Sequence, residues 1–115
     1  MNESDRRQYS RVRFSEPVQF SPALSTHRSG TVGLDISEGG IRMYVHDFIS
    51  PGTEVGLTIQ IEPENYVDCI GDIVWVQKTR YSDRYEAGIR FDENKTVVNH
   101  KELIRKHINL TKKLV

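Results

Sequence analysis

Between Glu54 and Ile61 every second residue is apolar: Val55, Leu57, Ile59 and Ile61 alternate with Glu54, Gly56, Thr58 and Gln60. A two-residue period sends alternate side chains to opposite faces of an extended chain, so this stretch reads as a strand with one face on a core. The same period recurs along the chain. A first strand is expected around Val18 to Leu24, following Pro17, which rules out a helix interior. In a second, Val32, Leu34 and Ile36 alternate with Thr31, Gly33, Asp35 and Ser37, which assigns the apolar set to the core and displays the Asp35 carboxylate and Ser37 hydroxyl outward together. A third alternates Ile41, Met43 and Val45 with Arg42, Tyr44 and His46. The fifth, Tyr66 to Gln77, is apolar on both sides, with Cys69, Ile73 and Trp75 opposite Ile70, Val74 and Val76, and is expected to be covered on both faces. In the sixth, Tyr85, Ala87, Ile89 and Phe91 alternate with Arg84, Glu86, Gly88 and Arg90. Turn residues separate the strands at Ser25 to Gly30, Gly39-Gly40, Ser50-Pro51-Gly52 and Glu62-Pro63-Glu64-Asn65. Six strands with few helical signals predict a mainly β barrel or sandwich.

Past Phe91 the period changes. From Asp92 or Asn94, both good N-cap residues, Val97, Ile104 and Ile108 follow helical spacing, with Leu103 and Leu110 widening the stripe, so one helix is expected over about 94–111. Lys101, Arg105, Lys106, Lys112 and Lys113 make its far face and last turn basic, which suits the negative end of the helix dipole. At the other end, residues 1–11 are nearly all polar and read as a flexible arm. The chain of 115 residues therefore divides into an arm, 1–11, and one domain, 12–115, whose strands end near residue 91.

Sixteen basic residues balance sixteen acidic ones, so recognition of an anion must rest on a local cluster. The arm supplies one in Arg6, Arg7 and Arg11. Each guanidinium is a planar fork for bidentate bonds to phosphate or to the O6 and N7 edge of guanine, and its plane stacks on a base. Asp35 complements them, because a carboxylate accepts from the paired N1 and N2 hydrogens of guanine. Ser37 can donate to a phosphate or a base. The Gly39-Gly40 pair admits backbone angles closed to other residues, and Gly40 lets a flat ring approach the main chain. Together these residues describe a guanine nucleotide site, and the alternative reading of the same spacing is a solvated arginine-rich tail beside an ordinary Asp-x-Ser turn cap.

Arg7-Gln8-Tyr9-Ser10-Arg11, followed by Asp35-Ile36-Ser37-Glu38-Gly39-Gly40, resembles the paired RxxxR and (D/N)xSxxG signature of PilZ domains. Gly71-Asp72-Ile73-Val74-Trp75 resembles the family's GxVxW stretch, and Tyr85-Glu86-Ala87-Gly88-Ile89-Arg90-Phe91 its YxxGxxF strand. The resemblance runs from Asp5 to Phe91. It implies a six-stranded antiparallel barrel with a C-terminal helix that binds the bacterial second messenger cyclic di-GMP. By that analogy Arg7 and Arg11 take guanine edges and phosphates as the arm wraps the dinucleotide, and Asp35, Ser37 and Gly40 hold it from the barrel. Arg6, directly before RxxxR, resembles the extra basic residue associated with two intercalated ligand molecules. Gly39, Trp75 and Gly88 are secondary contact candidates, Trp75 with packing under the terminal helix as the alternative role.

Other chemistry has little support in the sequence. His27, His46, His100 and His107 include no i, i+4 pair and Cys69 is the single cysteine, so neither a metal site nor a disulfide is expected. No phosphate-binding glycine loop or serine-histidine-aspartate order suggests an enzyme, and no cofactor is expected. Neither a signal peptide nor a membrane span is visible, which gives a cytoplasmic expectation. The expected role is a receptor whose arm orders on the ligand and signals to an effector protein in motility, biofilm or exopolysaccharide control. The alternatives are a degenerate PilZ-like adaptor that binds no nucleotide, or a barrel for single-stranded nucleic acid. The neutral charge balance argues against DNA or RNA as partners.

Overall fold

The computed structural model describes residues 11–22, 28–63, 65–95 and 100–113. Its elements are β1 (Val12–Arg13), β2 (Pro17–Pro22), β3 (Ser29–Ile36), β4 (Gly40–Val45), β5 (Glu54–Glu62), β6 (Asn65–Lys78), β7 (Tyr85–Phe91) and α1 (His100–Lys113). All pairings are antiparallel and run β3-β2-β5-β6-β7-β4, with β4 returning to β3. This closes a six-stranded barrel, as expected, and settles the choice between barrel and sandwich. The two-residue β1 adds to β3 in line with β2, through Val12 opposite Ile36 and Arg13 opposite Asp35.

The alternation in β5 is observed without a break: Val55, Leu57, Ile59 and Ile61 are buried, and their neighbours are half-buried. With Val18, Ile41, Met43, Val45, Val67 and Ile89 they fill the barrel interior. Each fully buried aliphatic side chain contributes about 1.5–3 kcal/mol relative to exposure. Cys69 belongs to the same core, and burial pushes its thiol up to about 12, so it stays protonated and inert.

Two strands depart from strict alternation. In β3 the pairing with β4 slips between Gly33 and Asp35, which leaves Leu34 as an extra residue. An inserted residue reverses the face on which every later side chain of the strand lies. The apolar set is therefore not uniformly inward: Ile36 is fully buried and Leu34 half-buried, but Val32 is 45% exposed. In β6 the register slips between Ile73 and Trp75, so Ile73 and Val76 face the core while Val74 and Trp75 face out. The outer face of β6 is open, with Tyr66 at 58% and Val74 at 51% exposure, against the expectation that it is covered on both sides.

The helix also begins later than expected. Asp92 caps a turn instead, its Oδ1 accepting from the Asn94 N–H at 3.0 Å and its carbonyl from the Lys95 N–H. Short side-chain bonds of this kind offer the backbone an alternative to a helix. Val97 lies outside the described residues. Helix α1 buries Ile104 and Ile108 in the barrel core and lies against β5 and β6, while Leu103 and Leu110 stay exposed at 38% and 43%. The buried stripe is narrower than the sequence pattern. No helix among the described residues is long and apolar enough to cross a membrane.

Candidate functional site

The chain entering the barrel is fixed to β3. The Phe14 N–H donates to the Leu34 carbonyl at 2.9 Å, and the Gly33 N–H donates to the Glu16 carbonyl at 3.1 Å. Phe14 is 2% exposed, sits over Gly33, and meets His107 of α1 edge-on, with ring centroids 5.6 Å apart. This anchor, three residues further on, lays Arg11 beside Asp35. Arg11 donates from Nε and Nη2 to Asp35 Oδ1 at 2.9 and 2.7 Å. Arg11, the last residue of the arm, is thus paired with the barrel at Asp35. Arg6 and Arg7 lie outside the described residues.

A second guanidinium holds the other carboxylate oxygen. Arg42 Nε donates to Asp35 Oδ2 at 2.9 Å, and Arg42 Nη1 is 3.6 Å from Glu86 Oε1. These ion pairs are partly exposed, with Arg11 at 35%, Arg42 at 40% and Asp35 at 20% of their side-chain surfaces. Such pairs contribute about 0–1 kcal/mol each. They orient the carboxylate but leave it exchangeable.

Ser37 differs from its expected display. At 3% exposure it is buried, and its hydroxyl serves the turn: Oγ accepts from the Gly39 N–H at 3.2 Å, while the Ser37 N–H donates to the Gly40 carbonyl at 2.9 Å. Oγ is still 3.5 Å from Arg11 Nη1, so the hydroxyl reaches the site from beneath. The Gly-Gly pair also has a different reason from the one expected. Among the described residues only Gly52 has a positive φ, 92°, so neither Gly39 nor Gly40 needs an unusual backbone. Gly40 is required by a close approach, because a Cβ there would meet the Ile89 carbonyl oxygen on β7. On the side a Cβ would take, Gly40 is packed against β7. The turn is further tied by the Phe91 N–H donating to the Gly39 carbonyl, and by Arg105 Nε of α1 donating to Glu38 Oε1 at 2.6 Å.

Registers across four strands set out the outer wall. Asp35 is opposite Arg42, Arg42 opposite Gly88, and Gly88 opposite Trp75, forming one row. A second row runs from Gly40 through Arg90 to Asp72. Trp75 covers Gly88 so closely that any Cβ on Gly88 would strike the indole, so Gly88 is a seat for the ring and not itself an open contact. With 38% exposure on the outer wall, Trp75 does not pack beneath α1. The two rows line an open cleft of about 1000 Å³ that brings together Arg11, Asp35, Ser37, Gly39, Gly40, Trp75 and Gly88.

Arg42, Asp72, Val74 and Arg90 also line the cleft and were not singled out from the sequence. The outward parity of Arg42 and Arg90 was legible in their strands. What places them at the site is the cross-strand register, which a one-dimensional period does not carry. The cleft offers a stacking face in Trp75, guanidinium forks in Arg11, Arg42 and Arg90, and a carboxylate acceptor in Asp35, a set suited to a planar, anionic ligand with hydrogen-bond donors on one edge. Among the described residues no cluster of histidine, cysteine or carboxylate side chains suits a metal ion.

The sequence model of the PilZ domain matches residues 5–109. No curated protein matches the chain in sequence. The fold is shared with the Bacillus subtilis inhibitor of motility MotI/DgrA, at 21% identity and a TM-score of 0.73, covering 93% of this chain and 52% of that one. It is shared also with the PilZ domain of YcgR with c-di-GMP from Escherichia coli, at 13% identity and a TM-score of 0.73, covering 95% and 94%. The MrkH–c-di-GMP complex of K. pneumonia matches at 16% identity and a TM-score of 0.69, covering 94% and 52%. The chain thus spans about half of MotI/DgrA and MrkH, and nearly all of the isolated YcgR domain. The closed barrel, Arg11 and the Asp35–Gly40 motif at the cleft, and a family match across almost the whole sequence lead to one conclusion: this chain belongs to the PilZ domain family.

Proposed function

We propose that the chain is a cyclic di-GMP receptor and not an enzyme. The observation that carries this reading is the Arg11–Asp35 pair at the lip of the cleft, which sets a phosphate-seeking cation and a guanine-seeking anion side by side. Family membership and the c-di-GMP-bound YcgR and MrkH structures support it. Arg6, Arg7 and Arg11 bind phosphates and guanine edges, Asp35 accepts from guanine, and Ser37 and Gly40 shape the turn beneath, with Trp75 as a stacking surface seated on Gly88. Ligand binding orders the arm at a cost of about 1–2 kcal/mol per fixed backbone residue, offset by desolvated, charge-assisted bonds. The changed surface then signals to an effector protein, in motility, biofilm or exopolysaccharide control.

Parallel calorimetric titration with cyclic di-GMP, GTP and a short single-stranded oligonucleotide tests the reading. Saturable binding of cyclic di-GMP alone is the expected result. Binding of none of the three would favour a protein adaptor without a nucleotide, and binding of the oligonucleotide a nucleic-acid barrel. On the strength of Arg6, two intercalated ligand molecules per protomer are proposed, and saturation at one per chain contradicts that number.

A further inference from the structure

The two oxygens of Asp35 are held by different kinds of partner. Oδ1 accepts from Nε and Nη2 of Arg11, which arrives on the arm, whereas Oδ2 accepts from Nε of Arg42, which belongs to the barrel wall. Arg42 is the direct cross-strand neighbour of Asp35 and is braced by Glu86 from its other side.

The partner on Oδ1 can be replaced by a base. Guanine carries N1–H and an N2 amino group on one carbon, a guanidine fragment built into the ring, so its edge offers a carboxylate a parallel donor pair like Nε–H and Nη2–H of arginine. Arg11 therefore occupies the place a guanine edge would take. Exchange has a geometric hazard, because the terminal torsion of an aspartate is soft and its carboxylate turns easily once a partner leaves. Only Arg42 stays on the carboxylate through such an exchange.

We propose that Arg42 is a positioning residue: held by Glu86, it keeps the Asp35 carboxylate aimed into the cleft while Oδ1 passes from Arg11 to guanine, which frees Arg11 for the ligand's phosphates. This rests on the cyclic di-GMP reading above. It also gives Glu86 a role, since a cation tied to a second carboxylate is restrained from following the phosphates.

Calorimetry with cyclic di-GMP and its inosine analogue, cyclic di-IMP, which lacks the N2 amine, tests the proposal on wild type, Arg42→Ala, Arg42→Lys and Glu86→Gln. Wild type prefers the guanine ligand. Arg42→Ala loses about tenfold or more in cyclic di-GMP affinity, the scale of one charged hydrogen bond, and its preference for guanine over hypoxanthine shrinks. Arg42→Lys restores part of both, and Glu86→Gln shows a smaller loss of the same kind. An equal fall in both affinities, with the preference unchanged in Arg42→Ala and Glu86→Gln, would overturn the proposal and leave the receptor reading standing. A wild type that binds neither ligand would remove the receptor reading itself and the proposal with it.

Discussion

Strand β5 and the pair β3 and β6 illustrate two ways of spending a strand. In β5, buried and half-buried residues alternate over the whole length, and its pairing with β6 slips only at the hairpin tip. It serves the core and contributes nothing to the cleft lining. Strands β3 and β6 each carry one extra residue, Leu34 and Val74, and each slip lies beside a cleft residue, Asp35 or Trp75. A bulge gives up some ladder regularity and re-aims the side chains beyond it. In this barrel the uninterrupted strand β5 stays out of the cleft, whereas the bulges of β3 and β6 aim side chains into it.

That contrast can be broken by substitution. The largest effect is expected in β5: Ile59→Ala, at a fully buried position, should cost about 2–5 kcal/mol of stability in a denaturant melt and leave ligand affinity of the folded protein unchanged. A parallel loss of affinity would show that the regular strand also serves the site. Next comes Arg11→Ala beside the β3 bulge, with about 1.5–3 kcal/mol lost from cyclic di-GMP binding and little change in melting. The same loss is expected for Arg7→Ala. Unchanged affinity in both would take the arm out of the mechanism.

A smaller effect is expected in the regular half of β6. The folded Cys69 thiol titrates near 12 against 9.0 for a free thiol, so above pH 9 the unfolded chain loses this proton while the native chain keeps it. Stability conferred by the neutral thiol is fully present below pH 9 and is lost as pH rises toward 12, with a slope of up to about 1.4 kcal/mol per pH unit. Denaturation of wild type and Cys69→Ala at pH 8 and pH 10.5 should show the difference between them shrinking at the higher pH. A constant difference would mean the thiol reaches water in the native state. The smallest effect is expected at Val74, where Val74→Ser should change stability by no more than about 0.5 kcal/mol, because the bulge turns that side chain outward. A large loss would mean that the outer face of β6 is covered after all.

The same contrast explains how much could be read from the sequence. Where pattern and structure share one period, as in β5, β4 and β7, strand limits and inward residues were legible. Val32 and the covering of β6 were misjudged because an inserted residue leaves no mark in a list of apolar positions, yet reverses the face of every residue beyond it. Asp92 was read as a helix cap because the side-chain chemistry that caps a helix also closes a turn. Arg11, Asp35 and Ser37 were legible through their motifs. The contact of Arg42 with Asp35 was not, since it depends on which residue of β4 meets which residue of β3 across a bulge.

Closure of the barrel has one more consequence. With β4 returned to β3, each of the six barrel strands among the described residues has a neighbour on both sides, so the closed part of the wall has no bare rim of amide and carbonyl groups, and only the short β1 adds an edge. Along that closed part of the wall another polypeptide has no edge to extend, the route by which many adaptor modules capture peptides. A partner that docked on that wall would have side chains to read in place of a strand edge, so its specificity would follow from how they are arranged.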